Sequence, residues 1–383
     1  MRDEGCLTIS AFINRTDKGI ARSSTGGNLP IIVGVYRELI MIAAIEERAH
    51  RILVQSPGAV VNYRLRRDVL RQAPDAHELH DARKKLQTSA TIQAVRAAQW
   101  ADGSWGAFHS KATKRKQPIP TTEIGVERAL ALGLDASHGV LEQAAAYIVD
   151  VMEGRRSFPD HQERNDRWQT GMRLFLAATL ARMQPANPLL ATDRALWHTI
   201  AQRTFQSGTY RAEDEIAAHR ELTGATVKES YLVLNGRYQL TLLGSQPGLL
   251  STKLENALLQ WLWARPAGIG YLGIPLSEPP PDQPGEVDRW LASLELLARS
   301  FPGWVQVAQP AIDWLWAQQN AARLWDFGPR PASIANLPLS DSWRRKDQRV
   351  FDWSTRVLTL LRSYSDPVAS AVQSVCKETL NEH

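Results

Sequence analysis

The chain has 383 residues, 44% of them apolar and 22% charged, a balance that suits a globular protein with a core of its own. A formal net charge of +5 is small for this length, and the two cysteines, Cys6 and Cys376, stand near opposite ends. These figures exclude a disulfide framework and a cysteine-rich zinc site, and they predict a reducing, cytoplasmic location.

Residues 1–30 are polar, carry glycine and lack periodicity, which predicts a flexible tail ahead of a single domain over 31–383. Met41 offers an alternative native start to Met1. No signal-peptide core is present. The longest apolar run, Leu39 to Ile45, is far short of the ~20 residues that a bilayer needs. The densest basic run, Lys111 to Lys116, is read as a solvated loop with at most peripheral membrane contact. Nucleic acid is not an expected partner, and nothing in the sequence fixes an oligomeric state.

From Val33 onward the pattern is helical. Trp168, Met172, Phe175, Thr179 and Met183 form one amphipathic stripe. Similar stripes run through 59–71, 89–99, 121–133, 138–152, 190–206, 227–243, 249–264, 287–301, 305–319 and 354–365. Breakers such as Pro185, Gly208, Gly224, Pro247 and Pro302 separate them, and strand-like alternation is nearly absent. The expected class is all-α.

An internal repeat overlies these stripes. Gln99 is followed six residues on by Trp105, Gln319 by Trp325, and Arg265 by Tyr271, each at the end of a predicted helix. Weaker copies end at Phe158 and Tyr210, so the turn aromatics recur about every 50 residues, one helical hairpin plus its loops. After each aromatic a new helix opens with acid: Glu123, Asp166, the Glu213-Asp214-Glu215 cluster, Asp288 and Asp352. Asp-Arg-Trp occurs at both 166–168 and 288–290, and Asp352-Trp353 is close to it.

The string QxxDGSW from Gln99 to Trp105 resembles the QW motif of the squalene–hopene and oxidosqualene cyclases. With Thr121-Thr122-Glu123 opening the next helix, the phasing looks like the wider superfamily of terpenoid cyclases and protein prenyltransferases. That resemblance implies an α/α toroid, a closed ring of five to six helical hairpins, over roughly residues 59–365. It also implies that the glutamine bonds a neighbouring helix end while the tryptophan covers the same turn. The superfamily's chemistry does not carry over. The protonating DxDD is missing, with Arg211-Ala212-Glu213-Asp214-Glu215 the nearest cluster. DDxxD is absent, and neither cysteine opens an inner helix to complete a prenyltransferase zinc site.

If acidic helix starts face a central cavity, as the resemblance implies, a carboxyl group among apolar rings would have a raised pKa and serve as a general acid. Asp166, Asp352 and Asp214 are the candidate catalytic acids. Glu123, Trp168, Asp288, Trp290, Trp343 and Trp353 are the candidate substrate contacts, the indoles suited to a cationic intermediate. The plainer account is that acids at helix N-termini cap backbone N–H groups. The proline-rich loop 273–286 and the loop 326–342 are read as rim structures, with Arg330, Arg344 and Arg345 as possible anion contacts. His77 and His80 lack the HExxH spacing and read as an exposed helix face. No GxSxG, phosphate-binding glycine loop or dinucleotide fingerprint is present.

The expected function is therefore a toroid binding an isoprenoid-like or other hydrophobic small molecule. If catalytic, it is a terpenoid cyclase-like lyase or isomerase working without metal or cofactor. The alternatives are a non-enzymatic carrier or interaction scaffold, and a carbohydrate-active α/α barrel with paired carboxylates and tryptophan platforms.

Overall fold

A computed structural model describes residues 29–110, 117–227, 230–329 and 335–381, with only the backbone followed at 29–38 and 367–381. The tail, the Lys111–Lys116 run, Arg330, Cys6 and the Cys376 side chain lie outside the described residues. Fourteen α-helices and no β-strand are seen among the described residues; a lone bridge joins Gly236 and Gly270. In chain order the helices are α1 (Leu29–Val54), α2 (Ala59–Arg64), α3 (His77–Gln87), α4 (Ala90–Ala98), α5 (Thr122–Ala131), α6 (Gly139–Met152) and α7 (Trp168–Met183). They continue as α8 (Ala191–Thr204), α9 (Ala212–Thr223), α10 (Arg237–Leu243), α11 (Thr252–Ala264), α12 (Pro284–Ser300), α13 (Val305–Ala317) and α14 (Lys346–Asn381). Among the described residues no helix is long and apolar enough to cross a membrane.

Local chemistry sets several boundaries. The hydroxyls of Ser89, Thr121 and Ser251 accept the N–H groups of Ile92, Ile124 and Leu254, capping α4, α5 and α11. Pro284 opens α12 in the first turn, where a missing N–H is harmless. Gly224, at a φ of 70°, ends α9 in the left-handed region. The α2 helix continues as one π turn, Leu65–Val69, which carries Asp68.

Neighbours in sequence are neighbours in space along most of the chain: α5 packs on α4 and α6, and α7 on α6 and α10. The α12 helix lies against α10 and α14, and α14 packs along α1 and the π turn after α2.

Two turns repeat the same bonds. Trp105 and Trp325 are fully buried, and each indole N–H donates to the carbonyl ten residues back, Val95 at 3.3 Å and Leu315 at 2.6 Å. Their backbone N–H groups donate to hydroxyls near the start of the next helix carrying the pattern, Thr122 at 3.0 Å and Ser354 at 2.9 Å. The Gln99 amide donates to Gly103 and, at 2.9 Å, to the carbonyl of Val140 at the start of α6. Gln319 accepts from Arg48 of α1 at 2.9 Å. A helix end leaves backbone groups without partners, and the amide and ring together satisfy and cover them. Gly125 makes room for this: a Cβ there would overlap the Trp105 ring.

Candidate functional site

Six helices, α2, α5, α7, α10, α12 and α14, contribute to the wall of a cavity of about 430 Å³. The expected aromatic lining is absent from this cavity, which no tryptophan lines. Its wall carries seven arginines and four carboxylates beside leucines and alanines. A charge withdrawn from water persists only when it is paired and hydrogen-bonded, so the pairing pattern is the informative feature.

Most of the wall is paired. Arg356 joins Asp288 in an ion pair with 3% of each side chain exposed, and reaches Glu295 at 2.6 and 3.0 Å. Burial opposes its charge, but Glu295 and Asp288 outweigh that and hold its pKa above the ordinary value. Arg64 binds Asp68 at 2.9 Å, and Arg67 approaches the same carboxylate at 2.5 Å. Burial disfavours the Asp68 anion, yet the two guanidiniums keep its pKa below the usual carboxylate range. Arg237 pairs with Glu127, and Arg71 with Asp366 at 2.6 Å.

Arg182 and Arg299 differ. Among the described residues neither has an ion pair or a side-chain hydrogen bond, although both line the cavity near Glu295. Arg299 is exposed and Arg182 partly so, and both line the cavity. Desolvation lowers the Arg182 pKa to about 10. It also holds Arg299 well below its ordinary value, with the Arg182 charge adding to the effect and Glu295 opposing it. The carboxylate that acts on both, Glu295, is already paired with Arg356, so two neighbouring cations short of counter-charge make this part of the wall attractive to an anion.

One helical turn from Glu127 lies a second constellation. The Glu123 carboxylate accepts the Tyr238 hydroxyl at 2.8 and 3.0 Å and lies 3.1 Å from Nδ1 of His109. The imidazole stacks on Phe175 with ring centres 4.1 Å apart, and the rings of Tyr238 and Tyr271 meet it edge-on. Asp160 accepts the backbone N–H groups of Phe108, His109 and Ser110 at 2.6, 2.8 and 2.7 Å, fixing the loop that carries the imidazole. Burial and then Glu123 push the Tyr238 phenol well above its ordinary pKa, so it stays protonated. Tyr271 and Tyr231 continue this aromatic wall into a neighbouring hollow of about 370 Å³.

The structure does not gather the predicted acids at one rim. Asp288 lines the cavity, and Glu123 meets His109 and Tyr238 one turn from the cavity-lining Glu127. Asp166 is exposed, and its carboxylate accepts from the Thr226 backbone at 3.0 Å, a bond that lowers its pKa rather than raising it. Within its cluster Asp214 is half-buried outside the cavity. The buried member is Glu215, which burial pushes upward while Tyr210 and the Leu234 N–H bind it. Burial likewise raises Asp352, but its oxygens are filled by the N–H groups of Leu339 and Ser340, the Ser340 hydroxyl and the Trp343 indole. It anchors the 337–343 loop instead of facing a cavity.

The tryptophans are packing and loop contacts. Trp168 meets Phe158 edge-on, Trp290 meets Trp314, and Trp353 donates to Gly328 at 3.1 Å while lying against Trp343. Arg344 and Arg345 stand on the exposed surface, Arg345 paired with Asp347, and His77 is exposed 3.5 Å from Asp81.

Sequence reasoning missed Arg182, Arg299 and His109. Both arginines stand in a Leu-Ala-Arg string in the last turn of a helix. A cation there reads as a complement to the helix dipole, which hides any other role. His109, isolated in a loop, carries no spacing signal at all. No family model matches the chain, and neither a curated protein nor a solved structure matches it.

Proposed function

We propose that the chain is a divergent α/α toroid, similar to the terpenoid cyclases and protein prenyltransferases, whose central cavity holds a small molecule bearing an oxyanion. The closed ring is supported by the order of packing, in which α14 returns to α1, and by the two glutamine links. Gln99 ties its turn forward to the next hairpin, and Gln319 ties the last such turn to α1.

The observation that carries the ligand class is the unpartnered pair Arg182 and Arg299 on the cavity wall. Guanidinium forks match phosphate and carboxylate geometry, and an anion placed between them would relieve their mutual repulsion. Leu130, Leu272, Leu296 and Leu360 on the same wall leave room for an apolar body, so an isoprenoid-like tail remains compatible with an anionic head.

Pyrophosphate and citrate are the probes for a phosphate and a carboxylate ligand. Saturating probe is expected to raise the unfolding midpoint, by about 2.7 kcal/mol of stability at a hundred times its dissociation constant. Arg182→Met combined with Arg299→Met is expected to abolish the response. An equal response in wild type and double variant would remove the cavity from the account. Mass spectrometry of an organic extract of the purified chain then identifies any apolar body attached to the anion.

A further inference from the structure

We propose that His109 is a general base, with Glu123 and Tyr238 as its positioning residues, acting on a hydroxyl or water beside the anion-binding cavity. The argument starts from proton counting. The Tyr238 phenol has one proton and gives it to the Glu123 carboxylate. Nδ1 of His109 then faces two acceptors, Glu123 Oε2 and the Tyr238 oxygen, each at 3.1 Å, so Nδ1 must carry hydrogen. The neutral imidazole therefore keeps its lone pair on Nε2, and the carboxylate on Nδ1–H fixes that tautomer and the orientation of the ring.

Nε2 has no hydrogen-bond partner among the described residues, while a fifth of the His109 side chain remains open. The ring is held against Phe175, and its backbone is fixed through Asp160. A base oriented by a third group, with its reactive atom left free, is the arrangement that proton transfer needs.

Glu123 is one turn from Glu127, whose partner Arg237 lines the cavity, and Tyr238 follows Arg237 in α10. In this proposal a substrate anchored by its oxyanion extends towards His109. In the step, Nε2 takes the proton of water or a hydroxyl as that oxygen bonds to an ester or anhydride centre. The leaving group departs with the electron pair of the broken bond, and the imidazolium returns the proton to it. Only the location of the substrate's charged end rests on the anion-binding reading.

The test uses p-nitrophenyl acetate, an uncharged ester that needs no arginine. The wild-type chain is expected to hydrolyse it, and His109→Asn, which keeps a donor towards Glu123 but lacks Nε2, to lose at least about tenfold of that rate. Unchanged circular dichroism would show that the variant folds. Nitrogen-15 NMR of the wild-type imidazole should find the proton on Nδ1, and Glu123→Gln should shift that tautomer balance. A proton on Nε2, or an undiminished rate in His109→Asn, overturns the proposal. In the wild-type chain, esterolysis without stabilisation by pyrophosphate counts against the anion reading, and stabilisation by pyrophosphate without esterolysis counts against the base.

Discussion

Arg356 and Asp288 meet in the wall of the cavity with only 3% of either side chain exposed. The pair joins α14 to α12, and Glu295 completes it from one face of α12.

Removing one partner of such a pair strands the other charge. Arg356→Ala is expected to destabilise the fold by roughly 3–5 kcal/mol in urea unfolding. Arg356→Met combined with Asp288→Asn should recover part of this, since it removes the stranded charge as well. Additive losses in the two single variants and the double would show that the residues do not act as a pair.

Arg182 and Arg299 should show the opposite sign. Their mutual repulsion is opposed by Glu295, which Arg356 already binds, so Arg299→Met is expected to stabilise the ligand-free chain by about 1 kcal/mol. A lower unfolding midpoint for this variant would mean that the guanidinium has a structural partner.

Trp105 and Gly125 form a matched set, one filling the space that the other leaves. Gly125→Ala is expected to cost about 1–3 kcal/mol by overpacking. Trp325→Phe, which removes the indole bond to Leu315 while keeping a ring, should cost about 1–2 kcal/mol. Guanidinium unfolding measures both.

His219 is fully buried, neither ring nitrogen has a partner, and burial lowers its pKa to about 4. The unfolded chain, near 6.5, binds a proton that the folded chain refuses. Stability conferred by the neutral ring is therefore full above pH 6.5 and falls as pH drops towards 4, by up to about 3 kcal/mol. Glu215 and Asp352, both raised by burial, bind protons in the fold and oppose that trend, so the contrast between variants isolates the histidine. His219→Phe should flatten the loss of midpoint between pH 6.5 and 4; a slope equal to wild type would assign it to other groups.

Asp352→Asn should cost about 1–3 kcal/mol, because an amide cannot accept all the donors that the carboxylate holds. Asp166→Asn, at an exposed position with one backbone donor, should stay within about 0.5 kcal/mol of wild type. Thermal unfolding of the two, side by side, checks the contrast.

The sequence by itself determined the helical class, because the 3.6-residue stripes and their Gly and Pro breakers are local properties. It also determined the two turns at Trp105 and Trp325, since Gln99, Trp105 and Thr122 make their bonds within about 45 residues of one another. It marked the acids at helix starts but could not sort them. Whether such an acid caps a backbone, anchors a loop as Asp352 does, or meets a histidine as Glu123 does depends on elements distant in sequence. Only the tertiary structure decided the character of the cavity. Arg182 and Arg299 each look like an ordinary cation in the last turn of a helix. They become a pair short of counter-charge because α7 and α12 bring them to one wall, where crowding turns a routine charge into a binding feature.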